Sequence, residues 1–128
     1  MTQLSDEIPR EFIKHLYNLY NLDDCNKLSN IGELFGNHSK IISCNNLYNN
    51  LEEIASYYTD FFESLKSIEP IEMISLPSGS RGFLIHIKGR IELIDGSKTT
   101  FSESLIIREA NKKKNKSFWI HSIITIFD

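Results

Sequence analysis

Residues 83–127 read FLIHIKGRIELIDGSKTTFSESLIIREANKKKNKSFWIHSIITIF. Three long apolar runs, Phe83 to Leu93, Phe101 to Ile107 and Phe118 to Phe127, are separated by Asp95-Gly96 and by the polar stretch Asn111 to Lys116. This spacing predicts a hairpin followed by a third strand. Successive side chains of a strand point to opposite faces, so Phe83, Ile85, Ile87, Ile91 and Leu93 share one side while Leu84, His86, Lys88, Arg90 and Glu92 share the other. In the last run Phe118, Ile120, Ser122, Ile124 and Ile126 fall on one face and Trp119, His121, Ile123, Thr125 and Phe127 on the other. Both faces of the sheet therefore carry apolar residues, and the second face calls for a cover as well, either further helices or another protein chain.

Ahead of these strands the period changes to that of helices. Phe12, Leu16, Leu19 and Tyr20 form one stripe after Pro9, a residue suited to a first helical turn, and the helix is expected to end near Asn21. A shorter helix is expected from an N-cap at Asp23 or Asp24 through Leu28, Ile31 and Leu34, with Gly36 beyond its end. Lys40 to Cys44 reads as a strand, with a second brief one around Tyr48. Asn50 with Glu53 three residues on is a capping-box start for a third helix carrying Leu51, Ile54, Tyr58, Phe61, Phe62 and Leu65. Pro70 lies in the extended segment Ser67 to Leu76, which marks an edge or bulged strand, and Leu76-Pro77-Ser78-Gly79-Ser80 reads as a turn. The order predicts an α+β domain spanning 1–128, a cone of three N-terminal helices on a bent, mainly antiparallel sheet.

The chain has 128 residues, 41% of them hydrophobic and 24% charged, which fits one globular domain rather than a disordered chain. A net charge of −3 argues against direct binding to a phosphate backbone, so RNA contact is expected to be at most indirect. Cys25 and Cys44 match neither a metal pair nor a redox motif and read as reduced thiols. The first ten residues lack the apolar core of a secretory signal, and no apolar run is long enough to span a bilayer, so a non-membrane, intracellular protein is expected. The run Lys112 to Lys114 reads as a solvated tip between two strands. His15, His38, His86 and His121 lack metal-ligand spacing, no nucleophile is paired with a base, and no cofactor motif is present.

Glu11-Phe12-Ile13-Lys14-His15-Leu16-Tyr17, Leu34-Phe35-Gly36 and Phe101-Ser102-Glu103-Ser104-Leu105-Ile106-Ile107, in this order of elements, resemble the nuclear transport factor 2 fold family over nearly the whole chain. Within it, Gly89 to Lys98 running into Phe101 looks most like the small, p15-type subunit of the heterodimeric messenger-RNA export receptor. Ile41-Ile42 with Asn45, and the Leu76 to Ser80 turn, are similar to its fungal version. That resemblance implies pairing with the related domain of a larger subunit, a location shuttling between nucleus, nuclear pore and cytoplasm, and joint sites for phenylalanine-glycine repeats of pore proteins. Import of Ran in its GDP form is the rival within the family. It relies on acids around a hydrophobic opening, where this chain offers Ser43-Cys44 and a lone Asp95. Relatives place an Asn-Asp or Ser-Asp pair before a final Phe-Arg, whereas here Ile123-Ile124 precedes Thr125-Ile126-Phe127, so an arginine ion pair across a dimer is not expected.

Enzymes of the same fold, such as ketosteroid isomerases and dehydratases, are the rival from another class. Only Glu103 fits an inward acid, sharing parity with Phe101 and Leu105, with Tyr17 or Tyr20 placed to donate to it from the first helix. The outward face is expected to combine His86, Lys88 and Arg90 with Ser102, Ser104 and Ile106 and with Trp119, His121, Ile123 and Thr125. Trp119 and Ile123 are the expected anchors of a partner, since large apolar side chains near an interface centre carry most of the binding energy. The basic triplet His86, Lys88 and Arg90 would meet its own copy in a homodimer, which favours a different partner.

Overall fold

A computed structural model describes residues 3–79, 81–110 and 117–128. The order of elements is α1 (Gln3–Tyr20), α2 (Lys27–Gly32), β1 (Phe35–Ser43), β2 (Asn46–Tyr48), α3 (Leu51–Ser64), β3 (Leu65–Pro77), β4 (Gly82–Leu93), β5 (Lys98–Glu109) and β6 (Phe118–Phe127). The strands form one sheet in the order β2-β1-β6-β5-β4-β3, antiparallel throughout except where β1 runs parallel to β6. The expected α+β architecture of three helices on a curved, mostly antiparallel sheet is the one observed. Ser80 and the lysine-rich stretch 111–116 lie outside the described residues.

Local chemistry accounts for the boundaries. Asn50 accepts the Glu53 N–H at 2.9 Å while Glu53 accepts the Asn49 N–H at 2.7 Å, so two N–H groups left over at the start of α3 are satisfied reciprocally. Cys44 and Asn45 both have positive φ, 52° and 67°, the geometry a two-residue hairpin needs between β1 and β2. Asp95 caps the next hairpin through the Ser97 N–H, and Gly96 takes φ 91°. Several boundaries differ from the sequence expectation, among them the end of α3, where Leu65, expected on the helix, is extended and already begins β3. Helix α1 begins at Gln3, so Pro9 lies inside it rather than in its first turn, and its missing N–H removes one bond from the helical ladder. Helix α2 is shorter at both ends: Asn26, not Asp23 or Asp24, stands at its N-cap, since Asp24 accepts the Asn26 N–H in a local turn, and the helix stops at Gly32, with Leu34 already giving its carbonyl to the Ile120 N–H ahead of β1. Strand β1 therefore starts at Phe35, well before Lys40.

Pro70 and Pro77 mark β3 as the sheet's edge. The Ser78 N–H bonds to the Gly82 carbonyl at 2.9 Å, which fixes the alternation of bonds along this hairpin and turns the Pro77 nitrogen toward the open side. A bulge between Pro70 and Glu72 resets the phase. Before it, the Ile68 N–H and carbonyl, in phase with Pro70, both engage the Asn21 side chain at 2.9 and 2.8 Å. The amide of Asn21 thus stands where a neighbouring strand would, and ties the end of α1 to the edge.

The core lies between helices and sheet. Ile13, Leu16, Tyr17 and Tyr20 of α1 and Ile54 and Tyr58 of α3 meet Ile85, Ile87 and Ile91 of β4, Phe101, Leu105 and Ile107 of β5, and Ile120 and Ile123 of β6. Gly89 faces Phe101 across β4 and β5, and a Cβ there would fall 2.7 Å from the Phe101 ring and 2.2 Å from the Glu69 carbonyl. The missing side chain lets the phenyl ring lie over the strand. Replacing Asn50 by Ala is expected to cost about 1 kcal/mol of stability through the lost cap, read as a lower denaturant midpoint at unchanged slope.

Candidate functional site

Six side-chain positions align across the whole sheet on the side without helices. Leu47 pairs with Ile42, Ile42 with Ile124, Ile124 with Ser104, Ser104 with His86 and His86 with Ile74, one residue from each strand. The next row adds Ser122, Ile106, Leu84 and Leu76. The row on the opposite flank holds Ile126, Ser102, Lys88 and Glu72. Ile42, Leu47, Ile74, Leu76, Leu84, Ile124 and Ile126 are each 40–66% exposed, so large apolar side chains are gathered on one face rather than scattered singly over the surface. At the centre His86 Nδ1 and Ser104 Oγ lie 3.0 Å apart.

Charges sit around this apolar zone. Arg90 lies 4.0 Å from Glu69 and Lys66 3.4 Å from Glu92, both pairs toward the Asp95-Gly96 end. Such exposed pairs stabilise little and mark a wetted margin. Thr100 and Asp128 close the same margin with a side-chain hydrogen bond. Lys40, Lys88 and Arg108 ring the zone, and the Arg108 guanidinium donates to the Ser78 carbonyl at 3.4 Å.

His86, Lys88, Arg90, Ser102, Ser104 and Ile106 occupy the outer face as expected, and Trp119 joins them through its pairing with Arg108, its ring close over Gly36. Ile123 and Thr125 do not. Ile106 pairs with Ser122 and Ile107 with Ile120, so His121 is an extra residue on β6 and every side chain after it changes face. Ile123 is 1% exposed beside Leu105 and Ile41, and Thr125 is buried against Glu103. His121 itself lies against the Trp119 ring, with centroids 5.9 Å apart. The exposed apolar residues of this face that strand counting missed are Ile124 and Ile126, together with Ile42 and Leu47 from strands distant in sequence. The only available signal was Ile120 and Ile123 at a spacing of three.

The inner site is closed. Glu103 is 4% exposed, accepts the Tyr17 phenol at 2.6 Å and the Thr125 hydroxyl at 2.9 Å, and is part of none of the described clefts. Burial raises its carboxyl above the usual range, and those two hydrogen bonds partly counter that rise. Burial, and then the Glu103 carboxyl, push the Tyr17 phenol far up. A cleft of about 500 Å³ between α1 and β3 includes Ile13, Tyr17, Ile68 and Met73 in its lining and stops short of Glu103. Among the described residues no cluster of His, Cys, Asp and Glu could hold a metal ion, and no helix is long and apolar enough to cross a membrane.

Solved structures share this arrangement. Nuclear transport factor 2 from Cryptosporidium parvum superposes with a TM-score of 0.81 at 18% identity, covering 96% of this chain and 94% of that one. The chain has the nuclear transport factor 2-like fold. Yeast UBP3-associated protein BRE5 superposes with a TM-score of 0.80 at 16% identity over 97% of this chain and 96% of its own. A putative ketosteroid isomerase from Parabacteroides distasonis does so with 0.74 at 11% identity over 100% and 93%. This fold thus serves a transport factor, a protein named for its association with another and an isomerase-like protein. No family model matches the sequence, and no curated protein matches it.

The bulge makes neighbouring isoleucines inequivalent. Ile123→Ala is expected to cost roughly 2–4 kcal/mol of stability by opening a core cavity, whereas Ile124→Ala changes the isolated chain by less than about 1 kcal/mol. Equilibrium unfolding of the two variants measures the difference.

Proposed function

We propose that this chain is a noncatalytic pairing domain, the small subunit of a heterodimeric nuclear messenger-RNA export receptor, whose outer sheet face docks on the related domain of a larger subunit. The observation that carries the reading is the pair of rows from Leu47 to Ile74 and from Ile106 to Leu76, rich in exposed apolar side chains and lying on a face that none of the described elements covers. The rows span all six strands, wide enough for the roughly 800 Å² that each partner contributes to a stable interface. Ile42, Ile124 and Ile126 anchor the contact, and His86 with Ser104 supply hydrogen-bonding groups at its middle.

The interior supports binding over catalysis. Aromatic rings of Tyr17, Tyr20, Tyr58, Phe61, Phe62 and Phe101 pack against one another inside the cone, and Glu103 is buried among the described residues there with Tyr17 bonded to it. A ligand-sized cavity with converging polar groups, which catalysis in such a cone requires, would have to displace these rings. A different partner suits the face better than a second copy, because a second copy would bring another Lys40, Lys88 and Arg108 to the rim of the same interface and double its positive charge. Any contact with phenylalanine-glycine repeats or RNA belongs on this reading to the assembled pair.

Tagged chain purified from its native cells is expected to bring down one larger protein containing a domain of the same fold at equal stoichiometry. Ile124→Arg is expected to abolish that recovery while its thermal unfolding stays within a few degrees of the parent. A parent chain recovered alone, or an Ile124→Arg variant that still recovers the partner, would contradict the reading.

A further inference from the structure

Glu103 is the least expected group in the core. Its side chain points from β5 into the cone, with Tyr17 Oη 2.6 Å from one carboxyl oxygen and Thr125 Oγ1 2.9 Å from the other. Tyr20 of α1 and Tyr57 and Tyr58 of α3 are its remaining titratable neighbours, with Tyr20 and Tyr58 joined hydroxyl to hydroxyl at 2.9 Å. Across the ladder its pair on β4 is Ile87 and on β6 Thr125. No Lys, Arg or His of the described residues interacts with it from any of these elements. A carboxylate with two hydroxyl donors and no cation is poorly compensated away from water, whereas a carboxylic acid in the same place gives its proton to one hydroxyl oxygen and accepts from the other.

The attachment of α1 makes this consequential. Apart from apolar packing, α1 and its end are tied to the sheet by hydrogen bonds from Tyr17 to Glu103 and, twice, between Asn21 and Ile68. The cleft of about 500 Å³ between α1 and β3 runs along the same helix, with Tyr17 in its wall. We propose that Tyr17, Glu103 and Thr125 form a proton-dependent latch: the closed cone holds Glu103 as the neutral acid, and loss of that proton to solvent loosens α1 from the sheet and extends the cleft toward the cone's interior. This device is independent of what covers the outer face.

The sign follows from the direction in which burial moves the carboxyl. The folded state holds its proton to higher pH than the unfolded chain, where a glutamate releases it near pH 4.3. The latch's contribution is therefore full below that value, falls as pH rises toward the raised folded value, and stays low above it.

The test is amide exchange of α1 between pH 5 and 9, corrected for the intrinsic pH dependence of exchange, in the parent and in Glu103→Gln. The amide of glutamine keeps both contacts and cannot ionise. Protection of residues 13–20 is expected to fall at least several-fold across this range in the parent and to remain flat in Glu103→Gln, which is also the more protected of the two at pH 9. Flat protection in the parent, or the same decline in both proteins, overturns the proposal. Should Glu103→Gln fail to fold, Tyr17→Phe decides. It removes a hydrogen bond that favours the ionised form, so the decline should extend to higher pH, and an unchanged profile overturns the latch.

Discussion

One extra residue on β6 determines what each side of the sheet is made of. Because His121 bulges out of register between Ile120 and Ser122, Ile123, Thr125 and Phe127 turn to the helices while Ile124 and Ile126 turn away. A strand running on without the bulge would place Ile124 and Ile126 in the core and leave Thr125 outside, where it could not reach Glu103. The inner polar cluster and the outer apolar rows are thus two results of one local irregularity. Bulges of this kind re-aim a strand at positions where both faces have work to do.

The interior combines two unlike demands. Isoleucine side chains of β4, β5 and β6 supply close-packed apolar volume, and tyrosines from α1 and α3 bring phenols that must be hydrogen-bonded once buried. Glu103 and Thr125 meet Tyr17, Tyr20 meets Tyr58, and Tyr57 reaches Ser43 at 3.3 Å, so no buried side-chain polar atom among the described residues is left without a partner. The cost of an enclosed carboxyl is accepted in exchange for orientation, since its two oxygens fix α1 and β6 relative to β5. Outside, the demand is reversed, and aliphatic side chains that could have been polar remain in contact with water.

Much of this could be read from the chain itself wherever the cause was local. The Asn50 and Glu53 cap, the Asp95-Gly96 turn, the edge position of Pro70 and the inward parity of Glu103 with Tyr17 opposite each follow from residues within a few positions of one another or from simple alternation. The bulge at His121 has no such signature: neither glycine nor proline marks it, and it arises from fitting β6 between β5 and a parallel β1. Ile42 and Leu47 joined the outer row for a related reason. Their place beside Ile124 depends on a pairing across some eighty residues that no local pattern encodes. The half-exposed isoleucines were visible in the sequence, but their side of the sheet was not.

A fold shared by a transport factor, a protein named for its association with another and a putative isomerase leaves function to be decided by surfaces, and here the surface that stands out is the helix-free one. The central claim is that this face is buried in the cell. Hydroxyl-radical footprinting of the assembly isolated from native cells, compared with the separated chain, addresses it most directly. The account predicts strong loss of labelling at Ile42, Leu84, Ile124 and Ile126, with Ile8 and Leu22 on the helical side labelled alike in both. Equal labelling of the four outer residues in the assembled and separated forms would contradict it.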